Sequence, residues 1–429
     1  MDEARGRDPD AAPPSPISRR DLLKGSALGS FALFLAACGS TATPVPAASG
    51  SPPAGVSQTP SPPPASGVAS PSAAPTPTPT ESSAPAIGLG HKIAGLMIVG
   101  FRGSALADAP WVRTALAESG LGGVILFDRD QLTGRSRNIL SPAQVKRLTG
   151  DLRATAPARG IIVSVDQEGG IVTRLGPSHG FPAVSSEATI GKAPTSVTTT
   201  WAHGIATTLA GNGFNLNFAP VIDLDVNPDS PAIGALDRSF SADPDVVVAK
   251  ATIEIDAHRA AGVRTTLKHF PGIGSSTANT DFGVADVTKT WTRAELEPFR
   301  RLIVAGEVDL VMAGHVVNAQ LDAAHPASLS KAVVMDLLRG ELGWDGLVVT
   351  DDLQAAAITA AFGPDEAILL ALEAGNDLLL FANQQVYDAK LVPRVVKLVQ
   401  DAVVSGRIPE ARIDEAYDRV QALFGGAGG

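Results

Sequence analysis

Eight short apolar runs, each of five to eight residues, constrain this chain more than anything else in it. They are "GLMIVGF" (95–101), "GGVILF" (122–127), "GIIVSVD" (160–166) and "GFNLNFAP" (213–220), then "VRTTLKHF" (263–270), "VDLVMAGH" (308–315), "GLVVTD" (346–351) and "DLLLF" (377–381). Their apolar residues are continuous rather than alternating, which fits parallel strands covered on both faces. Between most of them lie amphipathic helical patterns such as "SPAQVKRLTGDLRATA" and "RAELEPFRRLIVAG". Strand followed by helix, eight times over roughly 340 residues, predicts an α/β chain of the (β/α)8 TIM-barrel type in one catalytic domain, residues 88–429. A doubly wound sheet is the second choice. It normally carries a glycine-rich phosphate turn after its first strand, and "GFRGSA" fits that pattern poorly.

Apolar residues make up 44% of the 429, enough for a large buried core, and the net charge is −10. An acidic chain lacks the basic face that phosphate neutralisation requires, so no nucleic-acid partner is expected. The single cysteine, Cys38, rules out a disulfide within the chain and a zinc site built on cysteines.

The amino-terminal region reads as targeting rather than as fold. In "SRRDLLKGSALGSFALFLAACGS", Arg19 and Arg20 precede an apolar run from Ala27 to Ala37. That run is shorter than the roughly 20 residues of a membrane span. Residues 1–37 therefore read as an export signal of the twin-arginine type. "LAAC" resembles a bacterial lipobox, with Cys38 as the lipidated residue; an uncleaved anchor helix is the alternative. Residues 38–87 are dominated by Pro, Ser, Thr and Ala. Such a segment cannot bury enough apolar surface to offset its ordering entropy and is expected to act as a disordered tether. The expected location is extracytoplasmic, with the protein attached to the membrane by lipid.

In a barrel of this type the site forms at the carboxyl ends of the strands. The residues there are Asp128 and Arg129, Asp166 with Gln167 and Glu168, Asp223 and Asp225, Lys268 and His269, His315, and Asp351 with Asp352. Charged groups directly after apolar strands are costly to bury unless they pair or react. The seven histidines form no HxxxH or HxH pair and there is no GxSxG elbow, so neither a metal site nor an acyl-transfer serine is expected. No cofactor is implied. Carboxylate chemistry assisted by Lys and Arg remains, and glycoside hydrolysis uses it.

"VDQEGGIVTRL" (165–175), "KHFPGIG" (268–274) and "VVTDDL" (348–353), in that order, resemble glycoside hydrolase family 3. The branch is that of β-N-acetylhexosaminidases acting on bacterial cell-wall sugars. "GGVILFDRD", "NFAPVIDLDVNP" and "DRSF" fit as well, so the resemblance runs from about residue 90 onward. It implies a retaining exo-glycosidase that releases terminal β-linked N-acetylglucosamine, with cell-wall fragments or related glycans as substrate. Asp351 then looks like the nucleophile; a helix N-cap is its structural alternative, a role Asp352 could fill instead. Asp166, Arg174, Arg238, Lys268 and His269 resemble the sugar-binding set. A β-glucosidase or β-xylosidase of the same fold, or a non-catalytic glycan-binding surface lipoprotein, are the other readings.

One loop departs from the resemblance. After "KHFPG" the family branch usually carries a segment ending Asp-Ser-His, whose histidine is the general acid/base. Here Asn279, Thr280 and Asp281 stand at those three positions, and no histidine lies between His269 and His315. Three readings stay open: Asp281 is itself the acid/base, another residue protonates the leaving group, or the loop no longer catalyses.

Overall fold

The computed structural model describes residues 87–156, 160–281 and 283–425. The expected export signal, lipobox and tether therefore lie outside the described residues, apart from Ile87. Each of the eight apolar runs contains a strand: β1 (Met97–Gly100), β2 (Gly123–Ile125), β3 (Ile162–Val165), β4 (Leu216–Asn217), β5 (Arg264–Phe270), β6 (Leu310–Ala313), β7 (Leu347–Thr350) and β8 (Leu379–Phe381). All are parallel, in the order β7-β6-β5-β4-β3-β2-β1-β8. The two ends of this sheet meet through the bridge Val349–Leu378, which closes the eight strands into a barrel. Covered on both faces, the strands are buried along nearly their whole length.

Helices separate the strands as their periodicity predicts. Helix α1 (Pro142–Thr155) follows β2 and buries Val145, Leu148, Thr149 and Leu152, residues spaced three and four apart on one face. It starts at Ser141, whose hydroxyl accepts the N–H of Gln144, with proline in the first turn. Helix α2 (Thr195–Gly211) follows β3, and α3 (Pro244–Ala260), capped by Asp243, follows β4. The run 293–306 is not one helix. Arg293–Leu296 winds tightly and α4 (Glu297–Ala305) continues from it, with Pro298 in its first turn. Helices α5 (Ala356–Phe362) and α6 (Pro364–Glu373) follow β7, separated by Gly363 at φ +73°. Helices α7 (Leu391–Val404) and α8 (Glu410–Gly425) follow β8. Among the described residues, no helix is long and apolar enough to cross a membrane.

The β7–β8 seam is reinforced at the amino end of β8. Asp377 is fully buried and accepts hydrogen bonds from Arg339 (2.7 Å), Arg412 (2.9 Å), Arg419 (3.1 Å) and the N–H of Val348 (3.0 Å). One carboxylate thus gathers cations from the helical segment before β7 and from α8. A buried charge is tolerated when its lone pairs are filled in this way.

Candidate active site

At the carboxyl ends of the strands lies a pocket of about 180 Å³. Asp166, Arg174, Arg238, Lys268, His269, Asp281 and Asp351 all line it. The expected site residues, brought from four strand ends and the loops beyond them, therefore converge. Cys38 lies outside the described residues.

One side of the pocket is a dense ion network. Immediately after β3 the chain forms a hairpin, Gln167–Gly169 against Val172–Thr173. Gly169 turns there at φ +107°, and a Cβ on it would lie 2.2 Å from the carbonyl of Ser185. Lys268, near the end of β5, donates to Asp166 at 2.9 Å and pairs with Glu168 at 2.6 Å. Glu168 in turn accepts two parallel bonds from Arg238, both 2.8 Å, and Arg238 also donates to the Ala232 carbonyl. Two cations and two carboxylates balance, which is what makes burial of this cluster affordable. Burial alone would raise the Glu168 carboxyl, but Arg238 and Lys268 hold it far below its usual range. Lys268 is pulled the other way by burial, yet Asp166 and Glu168 keep it firmly charged.

Glu168 was not among the expected ligands, and it is the hub of the cluster. The signal was present in the sequence: residues two apart in an extended chain share a side, so Asp166 and Glu168 face together while Gln167 faces away. Gln167 accordingly holds the hairpin from behind, its side-chain oxygen accepting the N–H groups of Arg174 and Leu175.

His269 is fixed by Asp223. One Asp223 oxygen accepts His269 Nδ1 (2.7 Å) and the His269 N–H (3.1 Å), and the other accepts the N–H of Ile273 (2.8 Å). An imidazole that gives its Nδ1 proton to a carboxylate has Nε2 left for another partner. Arg174 sits 4.0 Å from Asp128 and lies over the ring of Phe127, 5.6 Å from its centroid. Asp225, also at a strand end, does not line the pocket.

Asp351 stands directly after β7, where its oxygen accepts the N–H of Asp352 at 2.8 Å. Burial pushes its carboxyl up, but His315, His269, that N–H and Lys268 together hold it below the usual carboxylate range. It is held toward its ionised form. His315 is buried and bonded on both nitrogens, to the Ser328 hydroxyl (2.7 Å) and the Asp352 carbonyl (2.8 Å). Neither Asp351 nor Asp352 caps the helix that follows: α5 has Ala355 at its N-cap with no side-chain bond, and the Asp352 carboxylate instead accepts the N–H of Gln354 (3.1 Å) and of Ala382 (3.0 Å), tying the turn after β7 to the end of β8. Burial raises its pKa to about 7 despite those bonds, with the charges of Asp351 and Asp281 adding to the rise.

The loop after β5 arches over this mouth. Gly274 lets it approach closely, since a Cβ there would lie 1.7 Å from the Leu224 carbonyl. Glu295, buried beneath, accepts the N–H of Ser275 at 3.3 Å; burial lifts its pKa to about 7. Asn227 donates to the Ser276 carbonyl at 2.9 Å. At the tip, Asp281 keeps contact with solvent. The protein packed around it nonetheless raises its carboxyl, and the negative charge of Asp351 adds to this; Arg238, His269 and His315 oppose it. Glu168 and Asp352 are committed to the ion network and to backbone N–H groups, which leaves Asp351, pushed down, and Asp281, pushed up, as an opposed pair at the mouth. Such a divided pair can supply a nucleophile and a proton donor from one site.

Comparisons with known proteins agree with this geometry. Residues 89–423 match the model described as "Glycosyl hydrolase family 3 N terminal domain". A protein named beta-hexosaminidase from Tolumonas auensis is 36% identical over 279 residues, which is 64% of this chain and 79% of that protein. Beta-hexosaminidase LpqI of Mycobacterium tuberculosis is 33% identical over 78% of this chain and 82% of its own length. Among solved structures, a family 3 beta-N-acetylglucosaminidase from Paenibacillus superposes with a TM-score of 0.71 at 36% identity. The alignment covers 79% of this chain and 62% of that one, so the chain spans about three-fifths of the Paenibacillus protein. On the family model, on relatives above 30% identity and on the barrel itself, the chain belongs to glycosyl hydrolase family 3 and is a glycoside hydrolase.

Proposed function

We propose that this protein is a retaining exo-β-N-acetylglucosaminidase that removes terminal β-linked N-acetylglucosamine from cell-wall fragments or related glycans. The observation that carries the reading is the divided carboxyl pair at the barrel mouth: Asp351 held ionised and Asp281 pushed toward its protonated form, facing one pocket. In this reading an Asp351 oxygen attacks the anomeric carbon while Asp281 gives its proton to the departing glycosidic oxygen. A glycosyl ester on Asp351 results. Asp281, now a carboxylate, takes a proton from water, which attacks the anomeric carbon and frees the sugar. Asp166, Arg174, Arg238, Lys268 and His269 would hold the sugar's hydroxyls. The 2-acetamido preference rests on the hexosaminidase relatives.

In the same proposal the enzyme works outside the cytoplasm, held to the membrane by lipid. The paired Arg19 and Arg20, the apolar run and the "LAAC" ending at Cys38 support export and lipid attachment at Cys38. The Pro-rich stretch behind Cys38 supports a tether that lets the barrel reach glycans away from the membrane.

A substrate panel with covalent trapping tests the reading. The protein is assayed with a chromogenic β-N-acetylglucosaminide, the matching β-glucoside and an activated 2-deoxy-2-fluoro glycoside. The expected result is preferential turnover of the acetamido substrate and a mass increment mapping to Asp351. Turnover of the glucoside alone would transfer the activity to β-glucosidase chemistry. Folded protein with no turnover and no adduct would leave a glycan binder.

A further inference from the structure

We propose that Gln385 is a positioning residue for proton transfer: its single amide clasps the Asp281 loop to the segment that follows the nucleophile. The inference rests on the proposed acid role of Asp281. Gln385 lies four residues beyond β8, on a different strand end from either acid. Its Nε2 donates to the backbone carbonyl of Asp281 at 2.7 Å, and its Oε1 accepts the N–H of Ala356, the first residue of α5, at 3.1 Å. Asp351 is five residues before Ala356 on the same segment. The two partners also fix the amide's orientation. A carbonyl requires the NH2 end and an N–H requires the oxygen end, so a flipped amide would lose both bonds.

The need for such a clasp follows from how the loop is held. Its first half is anchored by packing: Gly274 lies against Leu224, Glu295 supports Ser275, and Asn227 holds Ser276. The tip lacks that support. Asn279 folds back to accept the N–H of Asp281 (2.9 Å), and its own amide reaches the Pro231 carbonyl only at 3.4 Å. The Gln385 bond is the shortest of those that tie the tip, among the described residues, to another loop. An aspartate is shorter than the histidine the family pattern carries here. Its backbone must therefore sit closer to the bond being broken, and an anchor on the Asp281 carbonyl sets that approach directly. Misplacing a reacting group by about 1 Å costs on the order of 100-fold in rate.

The test compares Gln385→Met, which keeps the length of the side chain and removes both bonds, with Asp281→Ala. Each is assayed in the full protein on an N-acetylglucosaminide with a poor leaving group and on one with a 2,4-dinitrophenyl leaving group, which departs without a proton. Amide hydrogen exchange is followed over residues 275–281 and over the barrel strands. Gln385→Met is expected to lose about 10- to 100-fold in kcat on the poor leaving group. It should stay near the parent on the activated one, and exchange faster at the loop tip while strand exchange is unchanged. Equal loss on both substrates, or parental behaviour on both with unaltered exchange, would overturn the clasp while Asp281→Ala still shows the leaving-group effect. Insensitivity of Asp281→Ala to the leaving group would bring down the acid assignment, and the inference with it.

Discussion

The two sides of the pocket are built on opposite principles. On one, Lys268, Asp166, Glu168 and Arg238 lock one another through charge-assisted bonds of 2.6–2.9 Å. On the other, the Asp281 tip is tied by uncharged amide contacts and stays open to solvent. Ion pairs buried in balance give a rigid frame, because moving one member leaves another charge unpaired. Amide contacts at a surface cost little to break and re-form. The proposed mechanism has use for both: a fixed cradle for the sugar ring, and a proton donor carried on a separate loop. Within one barrel, strand ends supply the first and a long loop supplies the second.

Substitutions can break this contrast or sharpen it. Asp351→Asn has the largest expected effect, a loss of kcat on the order of 10⁴–10⁶-fold, the scale found for lost nucleophiles. Binding of the sugar product, read by calorimetry, should survive because the cradle is untouched. Asp281→Ala comes next, with about 10²–10⁴-fold lost on poor leaving groups and no change in melting temperature. A large drop in melting temperature would show the loop to be as structural as the cradle. Glu168→Gln inverts that pattern. It strips the charge shared by Lys268 and Arg238, and breaking a buried pair costs about 3–5 kcal/mol. Denaturant unfolding should register that loss, and KM should rise more than kcat falls.

The pH dependences are smaller and differ in sign. The proposed mechanism needs Asp281 protonated and Asp351 ionised in the free enzyme. The alkaline limb of kcat/KM should therefore lie above the ordinary carboxylate range and vanish in Asp281→Ala. Stability also falls with rising pH through the two carboxyls raised to about 7, Asp352 and Glu295. The folded protein keeps protons that the unfolded chain releases from about pH 4 upward, so stability falls as pH rises toward 7 and is level above it. Glu168 and Asp130, held low, contribute stability that disappears only below the ordinary carboxylate range. Stability and melting temperature should thus be highest near pH 4 and decline toward pH 7. A flat profile from pH 5 to 8 would mean that Asp352 and Glu295 titrate normally.

Much of the barrel was legible from the apolar runs, because strands buried on both faces must be continuous in sequence; "GLVVT" and "DLLLF" could hardly be anything else. The division of 293–306 was visible only in hindsight, as a proline one residue into α4. Strand-end position and the family resemblance brought Asp351, Lys268 and His269 to the same mouth. Glu168 could have been added by the two-residue repeat of an extended chain. Gln385 could not. It is a neutral amide in "ANQQVYD", and its partners are backbone groups 104 and 29 positions away. Any residue presents those same groups, so no side-chain pattern marks them.

The three arginines on Asp377 bear on how the barrel is made. Two of them, Arg412 and Arg419, belong to the last helix, while the carboxylate they fill lies at the entrance to the final strand. A growing chain that had produced all eight strands would still leave that carboxylate short of two of its partners. Stopping translation before Arg412 would yield a cylinder with every stave present and its hoop unfastened. The last helix thus fastens the seam at the end of the barrel opposite the mouth.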